Sequence, residues 1–220
     1  MSIRKQYDSD LEALRTALVE MGQNAAEAVE NALEALCTAD TAAAQKIVQG
    51  DDRINNMERD IEHRCMTLLL RQVAGALRHI STAMKVVTDI ERMGDHASDI
   101  AEIIPHLVTV RKERDPAVSQ AIAMGRKAYQ MILDAMDALT AEDEIAARRV
   151  IAADDAVDYD FNAIKHTLAQ EIAADPAKVD AALDLLMVIK YLERIGDHAV
   201  NVAEWVQFVR TGRYKDESMF

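Results

Sequence analysis

Residues 91 to 102 spell ERMGDHASDIAE, and 102 residues later the chain spells ERIGDHAVNVAE, with eight of twelve positions identical. The chemistry open to this segment is that of carboxylate oxygen. On a helix, at about 100° per residue, Glu102, Asp95 and Asp99 fall at about 20°, 40° and 80° from Glu91, so all four share one stripe. In the second copy Glu193, Asp197 and Glu204 keep that stripe, and Asn201 stands in place of Asp99. Upstream, Asp51, Asn55, Glu58 and Glu62 form a matching stripe; in the second half Asp154 and Asp158 hold its first two places, and Phe161 and Lys165 replace the rest. Like charges four residues apart weaken a helix by a few tenths of a kcal/mol per pair. A like-charge stripe written twice therefore asks for compensation, which cations would supply. If the two stripes pack side by side, each half brings two carboxylate rows together, a donor set for hard or borderline ions such as iron, manganese, zinc or magnesium. One acidic stripe is usually a solvated helix face; repetition with conservative drift argues for more. Beside the acidic stripe run Gly94, Ala97 and Ala101, and in the second copy Gly196, Ala199 and Ala203. Such small residues let helix backbones approach closely.

Other residues offer less. His96 and His198 lie about 100° round from Asp95 and Asp197 and suit packing or an inter-helix hydrogen bond better than primary ligation. His63, His79, His106 and His166 are not repeated and suit structural roles. Arg92 and Arg194 are repeated and point to ion pairs with neighbouring helices or to plain surface positions. Met84, Met93 and Met187 sit at core spacing as fillers, and Trp205 is a packing anchor. The chain has no glycine-rich nucleotide loop, no Ser/His/Asp order and no CxxC. Asp60 with His63 supplies one acidic-x-x-His step where a di-iron carboxylate bundle needs two. The reading is of a protein that is not an enzyme.

The elements that must position these rows are helices. Half the residues are hydrophobic but only 4% are aromatic, and seven glycines and three prolines are too few to turn an all-β chain of 220 residues. Leu11, Leu14, Leu18, Met21, Ala25, Ala28 and Ala32 alternate steps of three and four in a first helix ending near Cys37. Asp40 then caps a short helix to Gln49, Gly50 interrupts, and a long helix runs from Asp51 to Arg71. After a break at Ala74-Gly75 a helix runs from Ala76 to Ile103, with Pro105 expected to kink or end it. Asp115-Pro116 restarts the chain as an N-cap with proline at the first helical position. A helix to Leu139, a short one over 142–152, a long one over 154–173 and a last one from Asp175-Pro176 to Arg210 complete the second half, and the tail TGRYKDESMF is expected to be frayed. The fold expected is all-α, two tandem antiparallel three-helix bundles related by duplication, with domains 1–112 and 113–220.

The net charge of −13 argues against a nucleic-acid partner and for proteins or cations. Cys37 and Cys65 are too few for a disulfide framework. The first residues lack the apolar core of a secretory signal, and no apolar run reaches the roughly 20 residues of a membrane span, so direct membrane insertion is not expected and a cytoplasmic location is.

DLEALRTALVEMG at 10–22, GDDRIN at 50–55, DIERMGDHASDIAE at 89–102 and YLERIGDHAVNVAE at 191–204 resemble the PhoU family of phosphate-transport accessory proteins, over essentially the whole chain. The resemblance implies two tandem three-helix bundles, often dimeric, with paired acidic motifs carrying metal clusters, possible multinuclear ones included. In this chain the motifs fall on Asp51 and Asn55 with Glu91 and Asp95, and on Asp154 and Asp158 with Glu193 and Asp197; Glu58, Asp99 and Asn201 lie at their margins. It also implies negative regulation of high-affinity phosphate uptake and of the phosphate-starvation response, through the ATPase subunit of the phosphate ABC transporter and a phosphate-sensing histidine kinase. Two departures stand out. Asn55 sits where the second half has Asp158, so the two sites are expected to be unequal. RQVAGALR at 71–78 is shorter than the family's turn and lacks its Pro and Asp. The alternatives are a ferritin-like di-iron bundle and a metal-free helical adaptor.

Overall fold

The computed structural model describes residues 3–71, 76–110, 115–215 and 217–218. Six long helices make up nearly all of it: α1 (Ile3–Thr38), α2 (Thr41–Leu69), α3 (Leu77–Val110), α4 (Pro116–Ala141), α5 (Glu144–Ala174) and α6 (Val179–Thr211), with a 3₁₀ turn at Pro176–Lys178 before α6. The first three helices and the last three each form a bundle. The Ala74-Gly75 break, much of the RQVAGALR turn and the 112/113 boundary lie outside the described residues.

The short helices expected before Gly50 and over 142–152 are not separate elements but the first turns of α2 and α5. Gly50 does not interrupt α2, and α5 runs without a break past Ala153. A helical glycine costs about 1 kcal/mol relative to alanine. In α2 that cost is offset by capping and burial: the Asp40 carboxylate accepts from the backbone N–H of Ala42 and Ala43, and Ala44 and Ile54 are buried on either side of Gly50. Asp143 caps α5 in the same way, through Ile145 and Ala146, which makes Glu142 the end of α4 rather than the start of the next helix.

Pro105 also lies inside a helix, since α3 continues to Val110. The ring removes one hydrogen bond, but the turn beyond it is held from outside. Leu107 is buried, and His106 is hydrogen-bonded to Asp184 of α6. The described part of the tail, 211–215 and 217–218, takes regular structure where frayed structure was expected. Gly212 takes the left-handed conformation (φ 73°) that ends α6, and Arg213–Tyr214 (β1) then pairs antiparallel with Glu217–Ser218 (β2). Tyr214 stacks on Trp205 at 4.1 Å between ring centroids, and Lys215 pairs with Glu204 at 3.2 Å. Trp205 is thus the expected anchor, closed on its other side by Phe208.

The bundles share one core. Helices α1, α3, α4 and α6 pack across the seam, while α2 touches only α1 and α3, and α5 touches only α4, α6 and the 3₁₀ turn, among the described residues. Buried Ile90, Met93, Ile100, Leu192, Ile195 and Val202 carry the apolar stripes of α3 and α6. The outer helices α2 and α5 therefore each face the inner helix of their own half that carries the repeated acidic segment.

Candidate metal centres

In the first half Ile54 of α2 packs against Gly94 of α3. A Cβ on Gly94 would lie 2.7 Å from Ile54 Cδ1, so a side chain there would make Ile54 shift. This seating sets Asp51, Asn55 and Glu58 of α2 opposite Glu91 and Asp95 of α3. Burial, then the charges of Asp95, Glu58 and Asp51, push the Glu91 carboxyl up to about 7, against the pull of Arg92. Asp51 is raised by burial and by Asp95 and, more weakly, Asp52 and Asp99, while a hydrogen bond from Asn55 opposes. Glu58 is raised by burial, Glu62 and Asp95, with Arg92 and Arg59 opposing. The Asn55 amide donates to Asp51 Oδ2 at 3.1 Å, and its own Oδ1 is buried with no partner.

The second half repeats the arrangement at Gly196, where a Cβ would lie 3.2 Å from Asp154 Oδ1 and 3.6 Å from Val157 Cγ1. Here the glycine admits the carboxylate itself. Burial, followed by Asp158, Asp197, Glu193 and Asp155, pushes Asp154 up to about 6, and its Oδ1 is buried without a partner. Asp197 is raised by burial and Glu193, with Arg194 and Lys190 opposing and Asp158 reinforcing.

The counter-charges differ between the halves. Arg92 reaches Asp95 at 3.1 Å and Glu91 at 3.5 Å, and Arg194 reaches Asp197 at 3.2 Å. The repeated arginines thus pair along their own helix, not with a neighbouring one. The second cluster has a further cation that sequence reasoning missed: Lys190 pairs with Glu193 and lies 5.4 Å from the Phe161 ring centroid, with Lys165 at 5.1 Å from the same ring. The signal was in the sequence, because Lys190 precedes Glu193 by one helical turn.

Eight expected residues are therefore gathered as two groups of four, with Glu58 beside the first. Asp99 lies at the edge of the first group, close enough to raise Asp51 and hydrogen-bonded to His96 at 3.2 Å. Asn201 is not in the second group: it donates to Asp89 Oδ1 of α3 at 2.9 Å, beside His198 Nδ1 on the same oxygen at 2.9 Å. His198 thus makes the inter-helix hydrogen bond, and His96 stacks on Tyr191, the counterpart of Asp89 in the repeat. Asp89 was missed because it is not repeated.

Both groups offer only oxygen, the donor preferred by hard cations. Among the described residues no group of three or more His, Cys, Asp or Glu side chains is arranged to hold a metal ion as it stands. The rows face one another but have not closed around a point.

Comparison with known proteins covers both halves. A family model for the PhoU domain matches residues 18–104 and again residues 122–206. A phosphate-specific transport system accessory protein PhoU homolog of Clostridium acetobutylicum is 39% identical over 216 residues, spanning 97% of this chain and 98% of that protein. The crystal structure of PhoU from Pseudomonas aeruginosa superposes with a TM-score of 0.90 at 32% identity, covering 94% of this chain and all of that one. The phosphate transport system regulatory protein PhoU from Streptococcus pneumoniae gives a TM-score of 0.87 at 28% identity over 96% of this chain.

Proposed function

The chain belongs to the PhoU family, and on that premise we propose that it is a non-enzymatic, cytoplasmic accessory protein of phosphate-specific transport whose two carboxylate clusters bind metal ions. In this reading it restrains high-affinity phosphate uptake and the phosphate-starvation response. It docks on the ATPase subunit of the phosphate ABC transporter and on the phosphate-sensing histidine kinase, and it pairs with a second copy of itself. The observation that carries the regulatory role is the likeness to an accessory protein over 97% of this chain, in both of its halves. No described helix is long and apolar enough to cross a membrane, which agrees with a protein that reaches the transporter by docking.

The donor chemistry fits a hard cation. Asp51, Asn55, Glu91 and Asp95 would hold the first ion, with Glu58 and Asp99 beside them. Asp154, Asp158, Glu193 and Asp197 would hold the second. Two observations support the fit: the unpartnered oxygens Asn55 Oδ1 and Asp154 Oδ1, and the burial, reinforced by mutual repulsion, that raises Glu91 and Asp154. A bound cation would relieve that repulsion as half-exposed side chains such as Asp95 and Asp197 turn inward.

Two measurements test the two parts. Elemental analysis of protein purified without chelator should find metal in the wild type, less in Glu91→Ala/Asp95→Ala and in Glu193→Ala/Asp197→Ala, and none when all four are changed. Wild-type protein free of metal, even after incubation with Mn²⁺ or Fe²⁺, would leave a helical adaptor. Deletion of the gene should raise phosphate uptake and starvation-gene expression in phosphate-rich medium, and unchanged levels of both would end the regulatory reading.

A further inference from the structure

The seam between the bundles holds a cavity of about 280 Å³ at the end opposite the start of α6, away from both carboxylate clusters. It has room for roughly nine waters at ~30 Å³ each. All four inner helices line it, and its walls are mainly apolar: Leu11, Leu14 and Leu18 of α1, Ala83 of α3, Leu139 of α4 and Val209 of α6. Two polar atoms in its lining have no protein partner, Thr82 Oγ1 and His79 Nδ1.

Thr82 differs from six other helical threonines. Thr16, Thr38, Thr67, Thr140, Thr167 and Thr211 each return the hydroxyl to the carbonyl four residues earlier. Thr82 is only 3% exposed, and its hydroxyl makes no such bond. A buried hydroxyl left unpaired is costly, and native interiors rarely leave one so. His79 lies one turn before it on the same face of α3. Its Nε2 is 3.1 Å from Glu142 Oε1, which also accepts from Arg15 Nη2 at 2.5 Å. With Nε2 donating to Glu142, the neutral ring leaves Nδ1 as a bare acceptor. Glu12, Arg15 and Glu142 also line the cavity, with Arg15 paired to Glu142 and Glu12 exposed, so the buried groups left unpartnered are the Thr82 hydroxyl and His79 Nδ1.

We propose that this cavity is a binding site for a small uncharged alcohol: an apolar body among the leucines, with a hydroxyl that donates to His79 Nδ1 and accepts from Thr82. The hydroxyl is the smallest head that meets both needs. An anion would meet Glu12 and Glu142, and a cation would meet Arg15 and lose its water at the apolar walls. Because the walls come from both bundles, the bound molecule fastens the seam between them.

The test titrates the full chain with 4-phenylbutan-1-ol, 4-phenylbutyrate and 4-phenylbutylamine, followed by calorimetry and by the methyl resonances of Leu14 and Leu18. The alcohol should bind one to one and shift those resonances, with each charged analogue at least tenfold weaker. Thr82→Val, an isosteric change, should weaken the alcohol about five- to tenfold. Val19→Trp, filling the cavity from its half-buried rim, should abolish binding while helicity is retained. Absence of saturable binding up to the solubility of the alcohol would mean that the cavity holds water only and would overturn the proposal. So would binding unaltered in both variants, or equal affinity for all three heads.

Discussion

Substituting Glu91 by Gln should make the metal-free protein more stable above neutral pH, although it deletes a charge from a site the protein is proposed to use. Glu91 is held at about 7, against an ordinary 4.5, by burial and by the negative charges around it. An acid whose affinity for its proton is higher folded than unfolded draws stability from that proton. Below pH 4.5 both states are protonated and the group is neutral in the balance. Between about 4.5 and 7 the unfolded chain releases its proton and the folded chain does not, so stability falls as pH rises; above 7 the loss is complete. At about 1.4 kcal/mol per tenfold in proton affinity the full loss would be roughly 3 kcal/mol. Glu91 still meets solvent at its margin and Arg92 lies 3.5 Å away, so screening brings the expected loss to about 1–2 kcal/mol. The assay is urea unfolding from pH 4.5 to 8 in the presence of chelator. Wild type should lose stability across that window, whereas Glu91→Gln should lose about 1–2 kcal/mol less and stand above wild type at pH 8. Adding Mn²⁺ should reverse the order, since the cation stabilises only the chain that retains the carboxylate. A variant less stable than wild type at pH 8 without metal, or a parallel pH profile, would show that Glu91 stores no repulsion and would refute the reasoning.

Gly94→Leu should cost about 2–3 kcal/mol by driving a side chain into Ile54, and it should lower metal stoichiometry in the first cluster alone; denaturation and elemental analysis read the two effects. Asp89→Ala removes the acceptor shared by His198 and Asn201 and should cost about 1–3 kcal/mol, with most of the loss absent in an Asn201→Ala/His198→Ala background. Lys190→Met, which takes away the internal partner of Glu193, should tighten Mn²⁺ binding at the second cluster about five- to tenfold, the worth of one half-exposed charge, as measured by competition with a chelating indicator.

The architecture was legible because its signals are long-range in sequence and simple in kind: a period of three and four over most of the chain, and a motif written twice. The membership of both clusters was legible for the same reason, since Glu91 and Glu193 mark equivalent places on α3 and α6. Breaks were misread where a local rule met tertiary packing. Gly50 and Pro105 each weaken a helix by an amount that burial of Ile54 or Leu107 outweighs, and single-sequence propensity has no access to that burial. Of the two readings of the arginines, the surface one holds and the inter-helix one does not, because Arg92 and Asp95 stand three residues apart on one face, a distance that needs no second helix. Asp89 was invisible for the opposite reason: its partner is 109 residues away, and nothing local marks it.

These misses share a location, which bears on how the duplicated halves came to differ. If the repeat were symmetric in detail, the interface of α3 with α6 would carry the same residue on both sides. Instead Asp89 faces His198 and Asn201, while its counterpart Tyr191 stacks on His96. The two imidazoles lie 5.6 Å apart between them. One side of the interface is thus a shared hydrogen-bond acceptor and the other an aromatic stack, and neither set of residues could be exchanged for the other without losing a partner. The same divergence reaches the clusters. In the first, Glu58, Glu62 and Asp99 add repulsion, and Arg92, Arg59 and the Asn55 amide give relief. The second has lost Glu58 and Glu62 to Phe161 and Lys165 and has gained Lys190, so its repulsion is relieved from within the protein. If the clusters bind cations as proposed, the inequality expected from Asn55 has a second source: the amide removes one charge from the first cluster, while Glu58, Glu62 and Asp99 stand around it.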